Sequence, residues 1–220
     1  MADLKGLIEA EGLVQPTIVA HSLGGQIAAQ FAGTFPDVVS RMVLVESIGP
    51  PRASHHGPEA WQAIMRQRVN LAAAPTRQRV MPDLADAQER FGRANPHLDS
   101  GLRDFVVMKN TRDADGGVVW KFDPRTREWL LLHDHTRAED LWSGVTCPVR
   151  VVLGADSWER FWSKIDMSAP GSGASSITGE EVARRVARFG DAELLTIADC
   201  GHIPHYEQPE ALFEAVDTFI

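Results

Sequence analysis

A serine hydroxyl attacks a carbonyl carbon only when a base takes its proton and an acid fixes that base's tautomer and shares its positive charge. The sequence holds a place for each. Ser22 stands in Thr17-Ile-Val-Ala-His-Ser-Leu-Gly-Gly-Gln26, where a β-branched run breaks between small residues and continues as a helix-forming segment. This pattern reads as a nucleophile elbow: a serine at the apex of a sharp strand-to-helix turn, in strained backbone geometry that leaves no room for bulk two residues either side. Ala20, Gly24 and Gly25 meet that demand. The turn would also aim the backbone N–H of Leu23 at the place where an oxyanion forms.

The base is His202, in Asp199-Cys-Gly-His-Ile-Pro-His-Tyr-Glu-Gln-Pro209, on a loop beside Gly201 that follows the last strand-like run. His205, on the same turn, reads as a packing residue. Two acids are open. Asp156 lies just past the apolar run that ends at Gly154, with a slight preference for its loop position; Glu46 ends the apolar run that follows the elbow helix. Both would lie at the edge of the sheet where open α/β folds build their sites. His21, beside the nucleophile, and Trp158, in the loop after Gly154, are the candidate substrate-binding residues; their plainer reading is a structural histidine and packing.

The elements that must hold these groups alternate. Leu4, Leu7 and Ile8 fall at helical spacing before Gly12, Pro16 to Ala20 reads as a strand, and Gly25 to about Thr34 as a helix ended by Phe35-Pro-Asp37. Arg41 to Glu46 and Pro148 to Gly154 are apolar runs of strand length, suited to a parallel sheet covered on both faces. Glu180 to Phe189 reads as a helix, Ala192 to Ile197 as the last strand and Pro209 to Ile220 as a closing helix. The expected fold is α/β with a mostly parallel sheet. Residues 1–51 and 141–220 would form its core and 52–140 a helical cap insertion, in which Val118 to Pro124 leaves the turn Asp113-Ala-Asp-Gly-Gly117 as an extended segment. The Gly- and Ser-rich stretch 168–178 reads as a surface loop.

With 220 residues, 44% of them hydrophobic, the chain can build a substantial core, and its net charge of -8 argues against nucleic acid or an anionic membrane as partner. Cys147 and Cys200 lack metal-ligand spacing and read as reduced thiols, and His55-His56 is a pair without further ligands nearby in sequence. No metal and no cofactor is expected. The N-terminus resembles no secretory signal, and no run approaches a membrane span, so a cytoplasmic protein is expected.

The Ala-His-Ser-Leu-Gly-Gly elbow, the Gly-His-x-Pro-His-x-Glu-x-Pro segment and the long insertion between strands together resemble the α/β-hydrolase superfamily over nearly the whole chain. The resemblance implies a serine hydrolase with a catalytic triad, acting on a small apolar ester or related acyl substrate. Family members commonly place the acid three residues after the glycine that ends the later strand, where Ser157 stands and Asp156 is one position early; relatives of the haloalkane dehalogenases place a glutamate where Glu46 stands. An elbow serine in place of aspartate, with Tyr206 as the single tyrosine, argues against dehalogenase or epoxide-hydrolase chemistry. Carbon–carbon bond hydrolysis and a cofactor-free dioxygenase reaction stay within the family's reach. The resemblance also implies strands before the elbow strand and a His-Gly loop giving a second oxyanion donor, which this sequence does not contain. The expectation is that the elbow strand forms a sheet edge, covered in a homo-oligomer or belonging to a truncated, partner-dependent or inactive form.

Overall fold

The computed structural model describes residues 1–50, 58–73, 78–124, 126, 134–164 and 177–220. The chain divides into two compact units, Met1–Trp61 with His133–Ile220, and Gln62–Leu132. In the first, α1 (Ala2–Ala10) leads through Gly12 into β1 (Thr17–His21), α2 (Leu23–Thr34) and β2 (Arg41–Val45). After the second unit come α6 (His135–Trp142), β5 (Val149–Gly154), the short α7 (Ser157–Arg160), α8 (Gly179–Val186), β6 (Ala192–Ile197), the short α9 (Pro204–Glu207) and α10 (Pro209–Asp217). The four strands form one parallel sheet in the order β1-β2-β5-β6.

Period-2 geometry explains why the inner strands read as unbroken apolar runs. In β2, Met42 and Leu44 enter the core against α2, α6 and Val186 of α8, while Val43 and Val45 enter the opposite core with Val152, Ile197 and Ala215 of α10. Both faces are buried, so no polar alternation survives. β1 is an edge strand, and its Val19 is 51% exposed.

The second unit holds most of α3 (Pro58–Ala73), then α4 (Leu84–Ala94), α5 (Ser100–Asn110) and a hairpin of β3 (Thr111–Ala114) and β4 (Gly117–Trp120). Asp83 and Asp99 cap α4 and α5 by accepting from Asp86 N–H and Leu102 N–H. Met81, Ala87 and Val107 form its core. This unit is narrower than residues 52–140, since Ala138 of α6 is buried in the core of the first unit. The 168–178 stretch, apart from its last two residues, and His55-His56 lie outside the described residues. Among the described residues no helix is long and apolar enough to cross a membrane.

Candidate active site

Three strands of the first unit release the chain in unusual backbone geometry at the same edge of the sheet. Ser22 follows β1 at φ 51°, Glu46 follows β2 at φ 54°, and Asp199 follows β6 at φ 50°. Left-handed backbone in a non-glycine residue costs about 1–3 kcal/mol and persists only where surroundings enforce it. Here hydrogen bonds enforce two of the turns: Ser22 N–H donates to Val45 O at 2.9 Å, and Glu46 N–H to Val152 O at 2.8 Å. Arg185 of α8, fully buried, donates to the carbonyls of Ile48, Gly49 and Pro50 and so holds the chain leaving Glu46.

The demand for small residues at the elbow falls unevenly. A Cβ on Gly25 would stand 2.0 Å from Ser47 Oγ, whereas one on Gly24 would meet nothing within 4 Å. Gly25 therefore permits the close approach of α2 to the chain after β2. Gly24 has no such packing role.

The turns bring Ser22, His202 and Glu46 into one line. Ser22 Oγ lies 2.8 Å from His202 Nε2, and His202 Nδ1 lies 3.0 Å from Glu46 Oε2. The other Glu46 oxygen accepts from Gly154 N–H at 2.6 Å. His202 and Glu46 are buried, 5% and 6% exposed, so their contact is shielded from water. A carboxylate against Nδ1 fixes the proton there and leaves Nε2 free to accept from the serine hydroxyl.

Asp156 faces elsewhere. Its Oδ2 pairs with Arg160 at 2.6 Å, and its backbone N–H donates to Cys200 O at 2.8 Å. Between the two acids left open by the sequence, the structure sets Glu46 against the imidazole and Asp156 against an arginine. Leu23 is the first residue of α2, with its amide at the positive end of the helix. Trp158 lies partly exposed on α7; from this stretch of chain it is Phe161 and Trp162, further along, whose rings meet His202.

His21 braces the His202 backbone: its Nε2 lies 2.6 Å from His202 O, so that nitrogen carries the proton and donates. His205 stands edge-on to His21, with ring centroids 4.8 Å apart. Burial holds the His21 imidazole down, to about 4 from 6.5, and lowers His205 as well. Burial likewise pushes the Cys200 thiol up to about 12, which leaves it an inert neutral group at neutral pH.

These histidines make stability depend on pH. As pH falls from 6.5 to about 4, the unfolded chain protonates His21 while the fold keeps it neutral, so stability falls through that window. The loss for His21 approaches about 3 kcal/mol below pH 4, with His205 adding in the same direction. Thermal melts from pH 7 to pH 4 should show this decline, and His21→Gln should flatten part of it. An equal slope in the variant would contradict the assignment to His21.

Gly154, the last residue of β5, serves both Glu46 and His202. Its N–H holds Glu46, and a Cβ there would stand 2.3 Å from Gly201 O and 2.4 Å from Cys200 O, in the backbone that carries His202. Gly154→Ala is expected to cost on the order of 3 kcal/mol and to displace His202. Denaturant unfolding combined with the rate of serine labelling checks both effects; unchanged labelling would show that the His202 loop tolerates the shift.

Among the described residues no group of three or more His, Cys, Asp or Glu side chains converges to hold a metal ion. A serine at a strained strand-to-helix turn, a histidine from the loop after the last strand and a carboxylate on the far side of that histidine, on a parallel sheet with helices on both faces, define the class. The chain belongs to the alpha/beta hydrolase family, whose model matches residues 1–215.

Within that family it is similar to the sn-1-specific diacylglycerol lipase ABHD11 of Mus musculus, 28% identical over 99% of this chain and 63% of that protein. Esterase Rv0045c of Mycobacterium tuberculosis is 26% identical over 90% of this chain and 58% of its own length. The chain thus spans less than two thirds of the length of these curated relatives. Among solved structures, the thioesterase domain from the curacin biosynthetic pathway superposes with a TM-score of 0.69 at 21% identity, covering 98% of this chain and 69% of that one. The crystal structure of Rv0045c superposes with a TM-score of 0.67 at 23% identity, covering 99% and 64%. At these identities the superpositions speak for the fold alone.

Proposed function

We propose that this chain is the serine-hydrolase core of an esterase-like enzyme that cleaves small, largely apolar esters or related acyl compounds. The observation that carries the reading is the unbroken line from Ser22 Oγ through His202 to Glu46, with contacts of 2.8 and 3.0 Å in a buried setting. Ser22 Oγ attacks the acyl carbon as its proton passes to His202 Nε2, and Glu46 accepts the Nδ1–H bond and stabilises the imidazolium. The imidazolium then gives its proton to the departing alkoxide or thiolate. Water, deprotonated by the same nitrogen, releases the acid from Ser22. The Leu23 N–H is one donor to the oxyanion, an interaction worth about 3 kcal/mol in the transition state. The names of the relatives, a diacylglycerol lipase and an esterase, support ester substrates.

The test is turnover of short-chain 4-nitrophenyl esters, with inhibition by a fluorophosphonate. Hydrolysis that stops in step with covalent labelling is expected. Folded protein that neither hydrolyses these esters nor takes up the label would refute the reading.

A further inference from the structure

We propose that Phe161 is a positioning residue for His202: its ring lies flat on the imidazole, holds the base in line between Glu46 and Ser22, and offers a π face to the imidazolium that forms as Ser22 attacks. The two ring centroids are 3.8 Å apart and the planes 8° from parallel. This inference rests on the assignment of Ser22, His202 and Glu46 proposed above.

The base must carry a positive charge as Ser22 attacks. An imidazolium in a buried site loses its hydration and needs substitutes on every side. In the plane of the ring, Glu46 serves Nδ1 and the substrate oxygen serves Nε2. Above the plane no hydrogen bond is possible, and an aromatic face, negative at its centre, is the remaining group that favours the cation over the neutral ring. Phe161 supplies that face. Trp162, 8% exposed, meets both rings edge-on, at 5.0 Å from Phe161 and 5.4 Å from His202.

The loop that carries Phe161 is tied to the loop that carries His202. Arg160 pairs with Glu207 at 2.7 Å and Asp156 at 2.6 Å, and donates to Asp199 O at 3.0 Å. Glu207, whose side chain is 3% exposed, accepts from Gly201 N–H at 2.9 Å and Ile203 N–H at 3.3 Å, the amides of the two residues that neighbour His202 in the chain. The partly buried Arg160, paired with Glu207, therefore ties the loop of the base to the loop of its stacking partner. This gives Asp156 a part in the site as an anchor of Arg160. Among the described residues the charged and titratable groups around His202 include Glu46, His21, His205, Cys200, Asp156, Arg160 and Glu207; the His21 ring meets the imidazole tilted by 51° at 5.1 Å, whereas Phe161 stacks flat on it.

The experiment is the acylation rate with 4-nitrophenyl acetate in a series at position 161, with Ser22→Ala alongside. Phe161→Leu keeps an apolar side chain without a π face and should lower kcat roughly three- to tenfold with KM within about twofold, while Phe161→Tyr stays within about twofold of wild type. Replacing Phe161 by pentafluorophenylalanine preserves the ring's shape and reverses its quadrupole; it should lower kcat as Phe161→Leu does, and it carries the comparison should the leucine variant melt below the assay temperature. Equal rates for the phenylalanine and pentafluorophenylalanine proteins would overturn the proposal, as would a loss confined to KM. Full activity in Ser22→Ala would instead refute the triad itself, and the proposal with it.

Discussion

Ser22→Ala should lower kcat for aryl ester hydrolysis by at least ~10³-fold, and His202→Ala by a similar factor, because either change removes covalent catalysis as a whole. The double variant should be no slower than either single one. Residues that act as one unit show such non-additivity, whereas independent contributions would multiply. The fold should survive Ser22→Ala, since Ser22 holds its turn through backbone bonds to Val45 and Gln26 that alanine retains. Alanine at φ 51° keeps the strain of that backbone. Steady-state kinetics with matched thermal melts provides the check; a variant that melts normally and retains a tenth of wild-type activity would exclude Ser22 as the nucleophile.

The second large effect separates the two carboxylates. Glu46→Gln keeps the shape and the acceptor for Gly154 N–H but offers His202 Nδ1 a neutral amide, which either leaves the imidazolium uncompensated or turns an N–H toward the ring and reverses its tautomer. The expected loss in kcat is on the order of 10³–10⁴-fold, with little change in KM. Asp156→Asn removes one partner of Arg160, whose pairing with Glu207 persists, and should cost less than about tenfold. Pre-steady-state acylation of both variants decides the matter. A larger loss in Asp156→Asn would mean that the acid reaches His202 from the loop after β5, against the contact made by Glu46.

The parts of this molecule legible in the sequence are those governed by local periodicity. Met42 to Val45 and Val149 to Gly154 read as strands because β-branched and apolar residues occupy both faces of a covered sheet. The elbow was legible because strand, strained serine and helix follow within ten residues, and the His202 loop because a glycine and two prolines bracket the histidine. The choice between Glu46 and Asp156 was not legible. It turns on the left-handed backbone at Glu46, on Gly154 N–H and on Arg160, the last two more than a hundred positions from the first. Phe161 gave no signal, since one phenylalanine in a loop looks like any packing residue until its partner ring is placed. Glu207 stands within the His202 segment, yet its grip on the amides of Gly201 and Ile203 depends on the turn into α9.

Activation of Ser22 by His202 and Glu46 is open to direct test. The most direct measurement is mass-spectrometric location of a fluorophosphonate adduct, with its second-order rate of formation in wild type, Glu46→Gln and Asp156→Asn. The account predicts an adduct on Ser22, forming at least ~100-fold more slowly in Glu46→Gln and at close to the wild-type rate in Asp156→Asn. An adduct on another residue, or equal rates in all three proteins, would contradict it.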